Sequence, residues 1–129
     1  MSHNQPLSHN FWMVAETIAP QIDIFKYGSG NVKTMVAGTN QLKNKVPQQL
    51  TKAINGANFS SDFYIYSLEW TPKKMTWRIN GVEVHSQTTD IPTQSMYLIL
   101  SSNMTETPEK ELRSEMAIDW VRCYQLNEK

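Results

Sequence analysis

Between Asp62 and Ser86 the chain alternates with a period of two. Phe63, Ile65, Ser67 and Glu69 fall on one side and Tyr64, Tyr66, Leu68 and Trp70 on the other, the pattern of a half-buried strand. Thr71-Pro72-Lys73-Lys74 follows, a turn in which proline presets φ at its second position. Met75, Trp77 and Ile79 then alternate with Thr76, Arg78 and Asn80, and Asn80-Gly81 leads into Val82 and Val84. Asn-Gly accepts the positive φ that a type I′ hairpin turn needs at both positions. This stretch is predicted to form a three-stranded antiparallel meander.

Residues 95–102 contain the unbroken apolar run Met96 to Leu100, which predicts a strand buried on both faces. Residues 116–125 set Met116, Ile118, Trp120, Arg122 and Tyr124 against Ala117, Asp119, Val121, Cys123 and Gln125, predicting another strand. Upstream, 11–14 and 21–27 read as strands separated by a loop ending at Pro20, Gly28-Ser29-Gly30 as a turn, and 31–37 as a further strand. Residues 41–58, rich in lysine and glutamine and holding Pro47 and Gly56, read as a long connection. Residues 105–113, with Pro108 and three glutamates, read as a solvated loop. The sum is an all-β antiparallel β-sandwich with strands spaced by turn signals.

Composition narrows the possibilities. Apolar residues make up 40% of the 129 positions and charged residues 19%, as in a globular domain. Twelve basic and twelve acidic side chains cancel, which removes the electrostatic footprint of a nucleic-acid or anionic-membrane binder. No apolar run approaches the ~20 residues of a membrane-spanning helix. Met1 to Asn10 is polar and lacks the basic start and apolar core of a signal peptide.

Cys123 is the only cysteine, so an internal disulfide and a cysteine-based zinc cluster are excluded; its alternating surroundings predict a buried, inert thiol. His3, His9 and His85 show no metal-ligand spacing, His3 and His9 lying in the polar terminal segment and His85 reading as exposed on its hairpin. No cofactor or metal is expected. Trp70, Trp77 and Trp120 read as core. Asn58-Phe59-Ser60 and Asn103-Met104-Thr105 fit the N-glycosylation sequon.

Phe11-Trp12-Met13, followed by Pro20-Gln21-Ile22-Asp23-Ile24-Phe25-Lys26, resembles the catalytic segment of glycoside hydrolase family 16. That family includes laminarinases, lichenases and related β-glucan or galactan hydrolases, and its signature is Glu-Ile-Asp-x-x-Glu on a strand of a concanavalin A-like jelly roll. The likeness continues through the stretch from Asp62 to Trp70, the Asn80-Gly81 hairpin, the stretch from Asp90 to Leu100 and the stretch from Met116 to Gln125, in the family's order. It implies a polar tail over 1–10 and a partial family domain over 11–129, corresponding to the carboxy-terminal half of longer relatives. The rest of the jelly roll would supply strands of both sheets and one wall of the sugar cleft. An incomplete sandwich leaves sheet edges exposed for self-association.

The resemblance also assigns roles. Retaining hydrolysis needs two carboxyl groups about 5–5.5 Å apart. Side chains at even intervals on a strand share a face, and a bulge restores the facing after an odd interval. In the family the first glutamate attacks, the aspartate orients it, and the last glutamate serves as acid and then base. The matching positions here are Gln21, Asp23 and Lys26. A carboxamide offers no anionic oxygen to the anomeric carbon. An ammonium titrating near ~10.4 is ill-matched to proton transfer at neutrality. Asp23 and Lys26 are expected to form an ion pair beside Gln21.

Trp12 matches a tryptophan that flanks the family's catalytic strand, where it stacks on sugar or fills the core. Tyr64 stands where many relatives place a histidine near the cleft floor, with cross-strand packing as its other reading. Asn103 follows a strand that often carries cleft-lining residues. Relatives are generally exported. The substitutions at Gln21 and Lys26 predict a catalytically inactive half-domain of glycosidase ancestry rather than an active β-glycosidase. The alternatives are a glycan-binding module without catalysis and a remnant that folds only as an oligomer.

Overall fold

The computed structural model describes residues 7–17, 19–28, 34–55, 59, 62–104 and 116–125. Its eight strands are β1 (Leu7–Val14), β2 (Gln21–Gly28), β3 (Thr34–Lys43), β4 (Val46–Asn55), β5 (Tyr66–Trp70), β6 (Met75–Ile79), β7 (Val82–Gln87) and β8 (Tyr97–Met104). There is no helix among the described residues. Two antiparallel sheets face one another, one of order β4-β3-β2-β1-β8 and one of order β5-β6-β7. This is the expected all-β sandwich, and its smaller sheet is the expected meander.

The meander forms as its turn chemistry dictates. Asn80 and Gly81 take φ of 49° and 81°, as a type I′ turn requires. Asn80 also pins the approach to β5, accepting from the Ile65 N–H at its side-chain oxygen and donating its own N–H to the Ile65 carbonyl, both at 2.8 Å. At the other end Thr71 N–H donates to the Lys74 carbonyl at 2.9 Å, closing the Thr-Pro-Lys-Lys turn.

The core lies between the sheets. Ile22, Ile24 and Phe25 of β2, Met35 and Ala37 of β3 and Ile54 of β4 meet Met75 and Trp77 of β6, with Phe59 at the margin. Phe25 packs on Tyr66 with ring centroids 4.8 Å apart, and Tyr64 bridges Tyr66 and Phe59. Burial, then the neighbouring Tyr64 and Tyr27, pushes the Tyr66 phenol above its ordinary range. Polar ties cross the gap between the sheets: Thr39 donates to Gln87 Oε1 at 3.1 Å, and Lys52 Nζ donates to the Val84 carbonyl at 3.1 Å. Asp90 adds another by receiving Lys43 and the side chains of Gln41 and Gln48.

Several expectations are corrected. The 41–58 connection is largely a hairpin: β3 and β4 pair from Thr34↔Asn55 to Lys43↔Val46 around Asn44-Lys45, whose φ values are 52° and 63°. Asn-Lys is a weaker turn signal than Asn-Gly, and Pro47 is tolerated because β4 is an edge strand. β1 begins at Leu7, inside the segment expected as a tail, and His9 on it contacts Ser102 Oγ at 2.7 Å.

Residues 116–125 form no strand and are mostly exposed, Trp120 and Cys123 included. Their alternation fits a sheet face, but the described strands place none beside them; Arg122 instead lies 4.6 Å over the Trp120 ring. β8 forms as expected but is not buried on both faces: Leu98 and Leu100 are 39% and 37% exposed. They turn toward the second sheet's side, but that sheet is only three strands wide and packs over β2 and β3.

His85 is half-buried rather than exposed, its ring 4.8 Å from Trp77 and its Nε2 without a partner among the described residues. The turn at 29–30, the Asn58 sequon residue, His3 and the 105–113 stretch lie outside the described residues.

Two predictions follow from this core. Trp77→Phe is expected to lower unfolding free energy by about 2–4 kcal/mol, read as a shift of the urea midpoint, because it removes a buried hydrogen-bond donor as well as volume. Burial, then Lys52, holds His85 below the usual imidazole value of 6.5, and burial does the same to His9. The unfolded imidazoles therefore take up protons that the folded ones refuse, so stability is complete above about pH 6.5 and falls as pH drops toward the folded values. Urea midpoints at about pH 7.5 and 5.5 should show that loss, and His85→Gln should remove part of it.

Candidate active site

β2 carries a bulge. Against β1, Phe11 pairs with Phe25 and Trp12 with Asp23, leaving Ile24 as the extra residue. Against β3, Asp23 pairs with Gly38 and Lys26 with Val36, so Ile24 and Phe25 together oppose Ala37. Both bulge residues turn into the core, 4% and 3% exposed. The extra residue restores the facing after an odd interval, and Gln21, Asp23 and Lys26 share the sheet face turned away from the core. Trp12 of β1 and Asn40 of β3 lie on that face, opposite Asp23 and Gln21 respectively.

The bulge draws a backbone carbonyl inward. The oxygen of Asp23 accepts from Trp77 Nε1 at 3.0 Å, so a fully buried indole in the opposite sheet holds the residue whose side chain points outward. Gly38, beside it, has φ of 146°, and a Cβ there would lie 2.1 Å from the Leu50 carbonyl oxygen. Only glycine fits that approach.

Asp23 is 6% exposed, and amides occupy both of its carboxylate oxygens. Gln21 Nε2 donates to Oδ1 at 2.9 Å and Asn40 Nδ2 to Oδ2 at 3.1 Å. The expected Asp23–Lys26 ion pair does not form: Lys26 is exposed, and the ion pairs among the described residues are Lys43–Asp90 and Arg78–Glu69. Two neutral donors satisfy the buried anion at short range, and the ammonium stays in water, where it avoids the cost of desolvation.

Trp12 is half-buried and donates from Nε1 to Ser101 Oγ of β8 at 3.0 Å. Asn103 is exposed on β8 opposite Ser8, on the same face but toward its far end. Tyr64 is not with them; it precedes β5 and packs with Phe59 and Tyr66 against the core. Open concavities lie beside Lys52 and His85 (about 460 Å³) and beside Pro20 and Gln41 (about 800 Å³), and neither includes Trp12, Gln21, Asp23 or Lys26. On this face Ser8, Asn10 and Asp23 are buried, whereas Lys26 and Asn103 are exposed. No group of three or more potential metal ligands occurs among the described residues.

Asn40 escapes sequence reasoning because it belongs to no motif and reaches Asp23 only through the β2–β3 register. Gly38 had a signal, since a glycine within a strand pattern marks a bulge or a close backbone approach.

The family model of glycosyl hydrolases family 16 matches residues 3–122. The chain belongs to that family. Its fold is shared with LamAcat from Zobellia galactanivorans at 20% identity and a TM-score of 0.66, covering 81% of this chain and 51% of that one. The laminarinase catalytic domain from Thermotoga maritima MSB8 aligns at 18% identity and a TM-score of 0.65, covering 81% and 49%. The kappa-carrageenase from Pseudoalteromonas carrageenovora, solved with an oligotetrasaccharide of kappa-carrageenan, aligns at 19% and 0.63, covering 81% and 47%. This family member therefore spans about half the length of these solved relatives. None of the curated proteins matches it in sequence.

Within this family 16 surface, the Asp23–Asn40 contact is directly testable. Asn40→Ala is expected to cost about 1–3 kcal/mol, because it strips a partner from a buried carboxylate. A double-mutant cycle with Asp23→Asn should return a coupling of about 0.5–3 kcal/mol in urea melts.

Proposed function

We propose that this family 16 member does not hydrolyse glycans, and that its outward face retains affinity for β-glucan or galactan chains. The observation that carries the first half is the state of Asp23. It is the one carboxylate among the three positions that match the signature, and Gln21 and Asn40 occupy its two oxygens. Displacement at an anomeric carbon needs a free anionic oxygen, and the return step needs a carboxylate that can take a proton from water. Gln21 and Lys26 supply neither. Losing nucleophile and acid/base together removes most of a rate enhancement worth ~8 kcal/mol or more. Asp23 remains the orienting residue of the ancestral arrangement, now orienting an amide.

Trp12 supports the second half. Its ring is half-buried beside Asp23, and its indole N–H is already bound to Ser101, so the ring is fixed for stacking on an apolar sugar face. Asn103 adds amide hydrogen bonding farther along the same surface.

Reducing-sugar release from laminarin, lichenan and agarose is expected to equal the blank, and clear release overturns the proposal. Retardation in gels containing these polysaccharides is expected for the native chain and should weaken in Trp12→Ala. Release by the Gln21→Glu/Lys26→Glu double variant would assign the silence to those two positions alone.

A further inference from the structure

We propose that the edge β8 presents among the described residues is a self-association site, at which two copies pair β8 with β8 antiparallel across a two-fold axis at Ile99. Four strands form sheet edges among the described residues: β4, β5, β7 and β8. β4 carries Pro47 and Lys52, β5 carries Glu69, and β7 carries Glu83. These are the devices that keep an edge from pairing with another chain, since proline removes a donor and a charge repels its own copy. β8 reads Tyr-Leu-Ile-Leu-Ser-Ser-Asn-Met and has neither. Pairing β8 with itself brings no like charges together.

The occupant follows from self-complementarity. With the axis at Ile99, Leu98 meets Leu100 of the second copy, and Leu100 meets its Leu98. The side chains left 39% and 37% exposed in one copy thereby form a continuous apolar stripe on the inner face. On the outer face Ile99 meets its own copy. A register centred on Leu100 would instead set Leu98 against Ser102 and Ile99 against Ser101, losing most of that burial. Residues 116–125 fit the edge less well, because they would bring Asp119 and Arg122 alongside an uncharged strand.

The pairing joins two five-stranded sheets into one of ten and turns their outer faces to the same side. Trp12 pairs with Ile99 across β1 and β8. The tryptophans of the two copies therefore fall in one row, about 14 Å apart at ~4.8 Å per strand.

Light scattering coupled to size-exclusion chromatography of the full chain is expected to give twice the monomer mass across a concentration series. Ile99→Lys and Ile99→Glu should each raise the dissociation constant at least tenfold, and mixing them in equal amounts should restore a dimer containing one of each. Should either variant fail to fold by circular dichroism, a second test decides. In a Cys123→Ser background, Ile99→Cys is expected to form an intermolecular disulfide on oxidation, and Val46→Cys on β4 is not. A monomer at every concentration, a dimer indifferent to both charges, or an Ile99→Cys chain that does not cross-link overturns the proposal.

Discussion

The bond from the Trp77 indole to the Asp23 carbonyl ties the chemistry of one sheet to the packing of the other. A bulge removes a residue from the regular ladder, and a backbone carbonyl turned into an apolar core must find a donor or bear the cost of dehydration. Trp77 meets that need while filling the centre of the sandwich. Because the carbonyl is fixed from inside, the side chain of Asp23 is fixed outside. Asn40 reaches it through the β2–β3 register, while Gly38 lets the β4 backbone approach at Leu50.

The face built this way gathers few charges. The bulge aligns Gln21, Asp23 and Lys26, Asp23 is buried, and the Trp12 ring stands beside it. It holds one carboxylate between two amides, with a solvated ammonium at its edge. The amides do what neighbouring carboxyl groups do for geometry, donating where an acid's proton would donate. They do not ionise, so they hold the carboxylate in place without adding charge.

Much of this was legible in the residues. The meander was written in period-two alternation and in Asn80-Gly81, and the bulge in the odd interval between Asp23 and Lys26. Contacts made by register across strands were not legible. Asn40 meets Asp23 because β3 lies beside β2 in one alignment, and no local pattern encodes that. Alternation was also an unreliable guide where the described residues offer no partner: 116–125 have a strand's pattern and no neighbouring strand among them, and β8 has the composition of a buried strand at the edge of their sheet. A pattern states which face a residue prefers, and the tertiary structure decides whether anything covers that face.

The hairpin at Asn44-Lys45 is far from Asp23 and lies on the surface, where loops ordinarily accept extra residues. This one is different. Its two residues set the alignment of β4 against β3, and β4 sends Ile54 into the core and Lys52 across to Val84 from the same face. A slip of one position would turn both side chains to the wrong surface. The loop is free to change its letters but not its length, so insertions and deletions there act on the whole sandwich.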